Sequence, residues 1–135
     1  MIAAMIRIRS LDHFVLRVRD LDASLRFYRD LLGLAVENEE KYRTGTLPFV
    51  SLRVGDQLLD LVPDPTCDPE ACATGGFLHF CVTADGDLAA VVRALRAAGV
   101  PFQHDEPVMR GGARGDGLSI YVQDPDGFVV EVKEH

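Results

Sequence analysis

The sequence has no tryptophan, only two lysines (Lys41 and Lys133) beside 12 arginines, and three cysteines. No apolar run approaches the ~18–20 residues that a membrane-spanning helix needs. The opening stretch Met1–Arg7 is too short for the core of a signal peptide, and Arg7 and Arg9 interrupt it. Cys67, Cys72 and Cys81 are odd in number and lack CxxC spacing, which predicts a reducing, cytoplasmic setting with neither a disulfide framework nor a zinc knuckle. A formal charge of −7 excludes nucleic acid as a partner, because phosphate affinity comes from clustered Lys and Arg. Arginine forms forked contacts with carboxylate or phosphate, so an anionic small molecule stays open as a ligand. What is present is ordinary for a globular protein: 135 residues, 47% of them apolar, enough for one domain and too apolar for disorder.

The chain repeats itself once. Leu11-Asp12-His13-Phe14-Val15-Leu16-Arg17-Val18 and Phe77-Leu78-His79-Phe80-Cys81-Val82 are both short apolar runs that carry His-Phe, as expected of strands. An acidic turn able to cap a helix follows each, Asp20-Leu21-Asp22 and Asp85-Gly86-Asp87. Helical periodicity comes next, through Leu21, Leu25, Tyr28 and Leu32 in one half and Leu88, Val91, Val92 and Leu95 in the other. Gly33 and Gly99 end these helices, each the twentieth residue after its histidine, and glycine suits the left-handed residue that closes a helix.

Short strands complete each half: 34–36, 47–54 and 58–62, then 101–103, 118–123 and 128–133. The expected class is therefore α+β, a single domain over 1–135 built of βαβββ modules at 8–62 and 76–134, with a linker at 63–75. The four-glycine stretch Arg110–Gly117 precedes a strand rather than a helix, so it is no phosphate loop. It reads either as a mobile substrate loop or as a plain hairpin connector.

The last strand of each half sets a carboxylate among apolar residues, Asp60 within 58–62 and Glu131 within 129–132. A buried, unpaired carboxylate costs several kcal/mol, so each needs a cationic partner or solvent. The repeat offers one: if the halves pack by pseudo-twofold symmetry, His13 and Asp60 meet His79 and Glu131. Two imidazoles with two carboxylates make a divalent-metal site. The bland alternatives are a structural histidine at a strand start and an Asp60 turned to solvent. His104 and His135 have no counterpart in the repeat and read as surface residues.

With those residues in view, the chain resembles the vicinal oxygen chelate superfamily of glyoxalases, extradiol dioxygenases and bleomycin-binding proteins. The resemblance spans nearly the whole chain and is most specific at residues 11–34 and at 121–131. It implies modules whose curved mixed sheets enclose a cleft around one divalent ion (Ni, Co, Zn, Mn or Fe(II)). It also implies homodimers, often with modules exchanged between chains.

Within the superfamily, similarity to the bacterial glyoxalase I group implies His13, Asp60, His79 and Glu131 as metal ligands. Arg17 and Arg110, the latter before Gly111-Gly112, would bind a glutathione adduct. Glu131, or as the alternative Asp60, would move a proton, and Tyr121 matches a helper tyrosine widespread in the superfamily. Asp60 is one methylene shorter than the Glu usual there. The alternatives implied are an Fe(II) ring-cleaving dioxygenase using His13, His79 and Glu131, and a metal-free drug-binding protein. Fosfomycin transfer fits poorly, because Val15 stands where that group has Thr.

Overall fold

The computed structural model describes residues 11–68 and 77–134. Cys72, His135 and most of the expected linker lie outside the described residues. Two four-stranded mixed sheets account for the fold, with the strand orders β1-β4-β3-β2 and β5-β8-β7-β6. The first comprises β1 (His13–Val18), β2 (Ala35–Val36), β3 (Val50–Val54) and β4 (Gln57–Pro63). The second comprises β5 (Phe80–Ala84), β6 (Val108–Arg110), β7 (Gly117–Gln123) and β8 (Val129–Glu134). In each sheet the first strand lies parallel to the last and the other pairings are antiparallel. The topology is the α+β arrangement expected from the repeat, written twice.

The helices form where capping and periodicity place them. Asp20 accepts a hydrogen bond from the Ala23 amide at the start of α1 (Leu21–Leu25), and Asp87 from the Ala89 amide at the start of α3 (Leu88–Ala97). Between them, α2 (Glu39–Arg43) is a short helix with no buried residue, in a stretch without apolar periodicity. Gly33 and Gly99 adopt φ of 80° and 74°, which a side chain with a Cβ rarely adopts. The first helix differs from the second in continuing as a π-helix over Arg26–Leu31. The first strand expected after the helix of the second half also shifts: residues 101–103 contribute only an isolated bridge, Phe102 with Val122, and the strand in that place is β6.

Alternation sorts the side chains. One face of each sheet is apolar and forms the core, through Leu16, Val18, Leu52, Leu59 and Leu61 in the first and Ile120, Val122, Val130 and Val132 in the second. Phe14 and Phe80 stand 4.8 Å apart between ring centroids, so these apolar faces join the halves. Two polar ties reinforce the joint. The Tyr28 hydroxyl donates to Asp124 Oδ2 at 2.7 Å, and Arg19 Nε donates to Asp126 Oδ1 at 2.9 Å. Among the cysteines, Cys67 is disulfide-bonded, which corrects the expectation of no disulfide; count and spacing do not reveal which sulfurs meet in space. Cys81 is a free, exposed thiol.

Candidate active site

The opposite face of each sheet carries the chemistry. In the first sheet Val15 pairs with Asp60 across β1 and β4, and Ser51 pairs with Asp60 across β3 and β4. His13, two residues before Val15, therefore lies on the face of Asp60. In the second, Cys81 pairs with Glu131 and Tyr121 pairs with Glu131, and His79 immediately precedes β5. The two halves thus present the same set at matching register: histidine, carboxylate and a hydroxyl opposite the carboxylate.

In the first half, His13 Nδ1 lies 2.7 Å from Asp12 Oδ1. That hydrogen bond raises the imidazole above its ordinary value, and the charge of nearby Asp60 adds to the effect. Asp60 is buried and accepts from Ser51 Oγ at 2.6 Å. Ser51 is held in turn by Asn38, whose Oδ1 accepts the Ser51 amide at 2.7 Å. Arg17 is largely exposed, with Nε 3.7 Å from Asp64 Oδ2.

In the second half, His79 Nε2 lies 3.1 Å from Glu131 Oε1, the histidine part-exposed and the carboxylate buried. The His79 ring meets Tyr121 edge to face at 5.4 Å. Burial raises the Tyr121 hydroxyl, as does its hydrogen bond with Glu131, while Arg110 opposes both. The Arg110 guanidinium stands 5.9 Å from the centre of the Tyr121 ring. Beside Glu131, burial pushes the Cys81 thiol up to about 11, with the Glu131 charge adding and the Lys133 charge opposing. Cys81 is thus a protonated thiol at neutral pH rather than a nucleophile. His104, read from the sequence as a surface residue, is exposed, but its ring also packs on Tyr121 at 5.8 Å. No pattern along the chain signals that contact, because His104 sits in an irregular loop.

Each pair offers one imidazole nitrogen and one carboxylate oxygen, a donor set that suits a divalent ion. Within one chain, however, the pairs do not merge: among the described residues no three of His, Cys, Asp and Glu gather as a metal cage. The cause is the way the halves pack. They join through their apolar faces at Phe14, Phe80 and Tyr28, which turns the polar faces away from each other. Apolar side chains within two residues of the site histidines are left in solvent, Leu11, Val15 and Leu78, each more than half exposed. The apolar cavity of about 330 Å³ lined by Phe14, Tyr28, Phe80 and Leu95 lies on the core side and holds no such pair.

Among known proteins, a virulence protein of Salmonella typhimurium is 31% identical over 127 residues, covering 93% of this chain and 83% of that one. A lactoylglutathione lyase of Haemophilus influenzae is 31% identical over 129 residues, covering 91% and 90%. The crystal structure of a glyoxalase/dioxygenase from Nostoc punctiforme superposes with a TM-score of 0.78 at 26% identity, over 99% of this chain and 96% of that one. The family model of the Glyoxalase/Bleomycin resistance protein/Dioxygenase superfamily matches residues 10–132. With the doubled βαβββ topology and coverage of nearly its whole length, the chain belongs to that superfamily.

Proposed function

We propose that this protein is a metal-dependent isomerase of the lactoylglutathione-lyase type, one domain over residues 1–135, working as a homodimer. His13 and Asp60 of one copy would complete a metal centre with His79 and Glu131 of a second. The observation that carries this reading is the His–carboxylate pair at matching register on the open face of each half, incomplete in one chain. The exposed Val15, on the same strand face as His13, is the kind of apolar surface a second copy would cover. Relatives named lactoylglutathione lyase, about 30% identical over most of the chain, support the reaction class.

A divalent ion held there would supply Lewis-acid polarisation of neighbouring substrate oxygens. The remaining chemistry falls to the chain. Glu131 takes the proton from the sulfur-bearing carbon of a hemithioacetal and returns it to the adjacent carbon, so that hydroxyl and carbonyl exchange places. Tyr121, opposite Glu131 across β7 and β8, holds that carboxylate in line. Arg17 and Arg110, both exposed beside their half of the site, bind the anionic tail of a glutathione adduct. No helix among the described residues is long and apolar enough to cross a membrane.

One observation favours a second reading. Asp60 is already engaged by Ser51, which leaves His13, His79 and Glu131 as the three-ligand set of an Fe(II) dioxygenase. Metal counted per chain in protein purified without chelators separates the two. About one Ni, Co or Zn per chain, with turnover of methylglyoxal plus glutathione, supports the isomerase. Iron lost in air, with oxygen uptake on a catechol, replaces it with the dioxygenase. Absence of metal after reconstitution removes both readings in favour of a binding protein.

A further inference from the structure

Lys133 is one of two lysines in the chain and is almost fully buried, at 3% exposure. Among the described residues no carboxylate lies within ion-pair distance of its ammonium. Its Nζ donates instead to two backbone carbonyls, those of Arg110 and of Gly117, the latter at 3.0 Å. Those two residues face each other across β6 and β7, so one ammonium bridges both ends of the glycine-rich loop 111–116. A buried ammonium is costly, and an apolar side chain of equal length would fill the same space more cheaply. Its placement therefore calls for a reason other than packing.

The loop is fitted to the lysine. A Cβ on Gly112 would come within 2.9 Å of Lys133 Cε, and one on Gly117 within 3.5 Å of it. Gly112 is thus the loop glycine fitted to the lysine stem, whereas Gly117 at the start of β7 is held mainly by the Glu134 backbone oxygen, 2.7 Å from where its Cβ would lie. The β6 end of the same loop carries Arg110, whose guanidinium lies over Tyr121, and Tyr121 stands opposite Glu131 across β7 and β8. Lys133 itself faces the site, since Glu131 and Lys133 alternate onto one face of β8, and its charge is felt at Cys81.

We infer that Lys133 is a positioning residue: its buried ammonium ties the two ends of loop 111–116 and thereby fixes Arg110 over Tyr121 at the candidate site. Fixing Arg110 sharpens recognition of an anionic substrate, and that consequence rests on the proposed role of Arg110; the tether itself does not.

The test uses the full chain with two substitutions. Lys133→Met keeps the length and removes the charge. Gly112→Ala pushes the lysine aside without altering it and serves equally if the first variant folds poorly. Amide hydrogen exchange should become about tenfold faster or more at Gly115, whose amide bonds the Gly112 carbonyl within the loop, in both variants, with the Ile120 and Val122 amides unchanged. With methylglyoxal plus glutathione, KM should rise about fivefold or more while kcat stays within about threefold, the mark of lost substrate positioning. Unchanged loop exchange in both variants overturns the tether, as does equal acceleration throughout β7 and β8. A fall in kcat at constant KM overturns the link to Arg110. The exchange readout needs no turnover, so it decides the tether whatever becomes of the isomerase reading.

Discussion

The first half of the candidate site and the second hold corresponding groups at corresponding positions, yet they wire them differently. In the first, His13 bonds Asp12, its neighbour in sequence, and Asp60 bonds Ser51. In the second, His79 meets Glu131 directly at 3.1 Å, and Tyr121 stands where Ser51 stands. The extra methylene of Glu131 lets its carboxylate reach the imidazole of its own half. The shorter Asp60 settles on a hydroxyl opposite it. In the second half imidazole and carboxylate meet each other, while in the first each is bonded to a different neighbour.

Paired substitutions test that contrast most severely. Glu131→Gln should lower kcat by about a thousandfold, within the range for loss of a general base. Asp60→Asn, which keeps an oxygen donor at the proposed ligand position and leaves the proton-moving Glu131 intact, should lower it only about tenfold. Equal losses at the two positions would show that the halves act symmetrically in spite of their different bonding. Asp60→Glu sharpens the comparison further: a carboxylate long enough to leave Ser51 should tighten Ni or Zn binding, measured by calorimetry on the apoprotein.

Much of this was legible in the chain. The His-Phe strands, the capping aspartates and the equally spaced Gly33 and Gly99 are local signals, and the structure repeats them as topology. The positions of Asp60 and Glu131 in the last strand of each half followed from the same repeat. The rest depends on contacts that a linear pattern does not encode. His13 turning to Asp12 is a choice among nearby acceptors. The outward aim of the polar faces follows from which apolar faces meet, at Phe14 and Phe80. The π-helix at Arg26–Leu31 keeps the same apolar residues as an α-helix would, so periodicity does not register it. Strand β6 lies in a segment whose glycines dominate its appearance, and α2 is too short and too exposed to show a period.

A second contrast lies in the turns that precede the last strands. The first half turns at Gly55-Asp56 in the open, whereas the second turns through buried Asp124 and Asp126, which reach across to Tyr28 and Arg19. Burial pushes Asp124 up to about 6 from an ordinary 3.8, although Tyr28 and the Phe128 and Asp126 amides all donate to it. The folded protein thus holds that proton more tightly than the unfolded chain. The contribution to stability is complete below about pH 4 and is lost as pH rises through about 6. Relative to an Asp124→Asn variant, the parent protein should lose about 2–3 kcal/mol between pH 4 and pH 7, from about two units at 1.36 kcal/mol each. Urea unfolding of both proteins at the two pH values measures it, and a constant difference would mean that Asp124 stays charged.

The smallest expected effects concern two buried serines that the repeat does not make equivalent. Ser51 donates to the buried Asp60 carboxylate, so Ser51→Ala removes a hydrogen bond to a charged group and should cost about 1.5–2 kcal/mol. Ser119 is fully buried with no partner for its hydroxyl among the described residues, so Ser119→Ala should change stability by less than about 0.5 kcal/mol or raise it slightly. Urea midpoints with unchanged slopes would establish both values. The pair also separates two accounts of the first half. If Ser51 serves only to satisfy Asp60, its loss destabilises the fold and leaves metal affinity alone. If Ser51 competes with the metal for that carboxylate, as the wiring of the two halves implies, the alanine variant should be less stable and yet bind Ni or Zn more tightly.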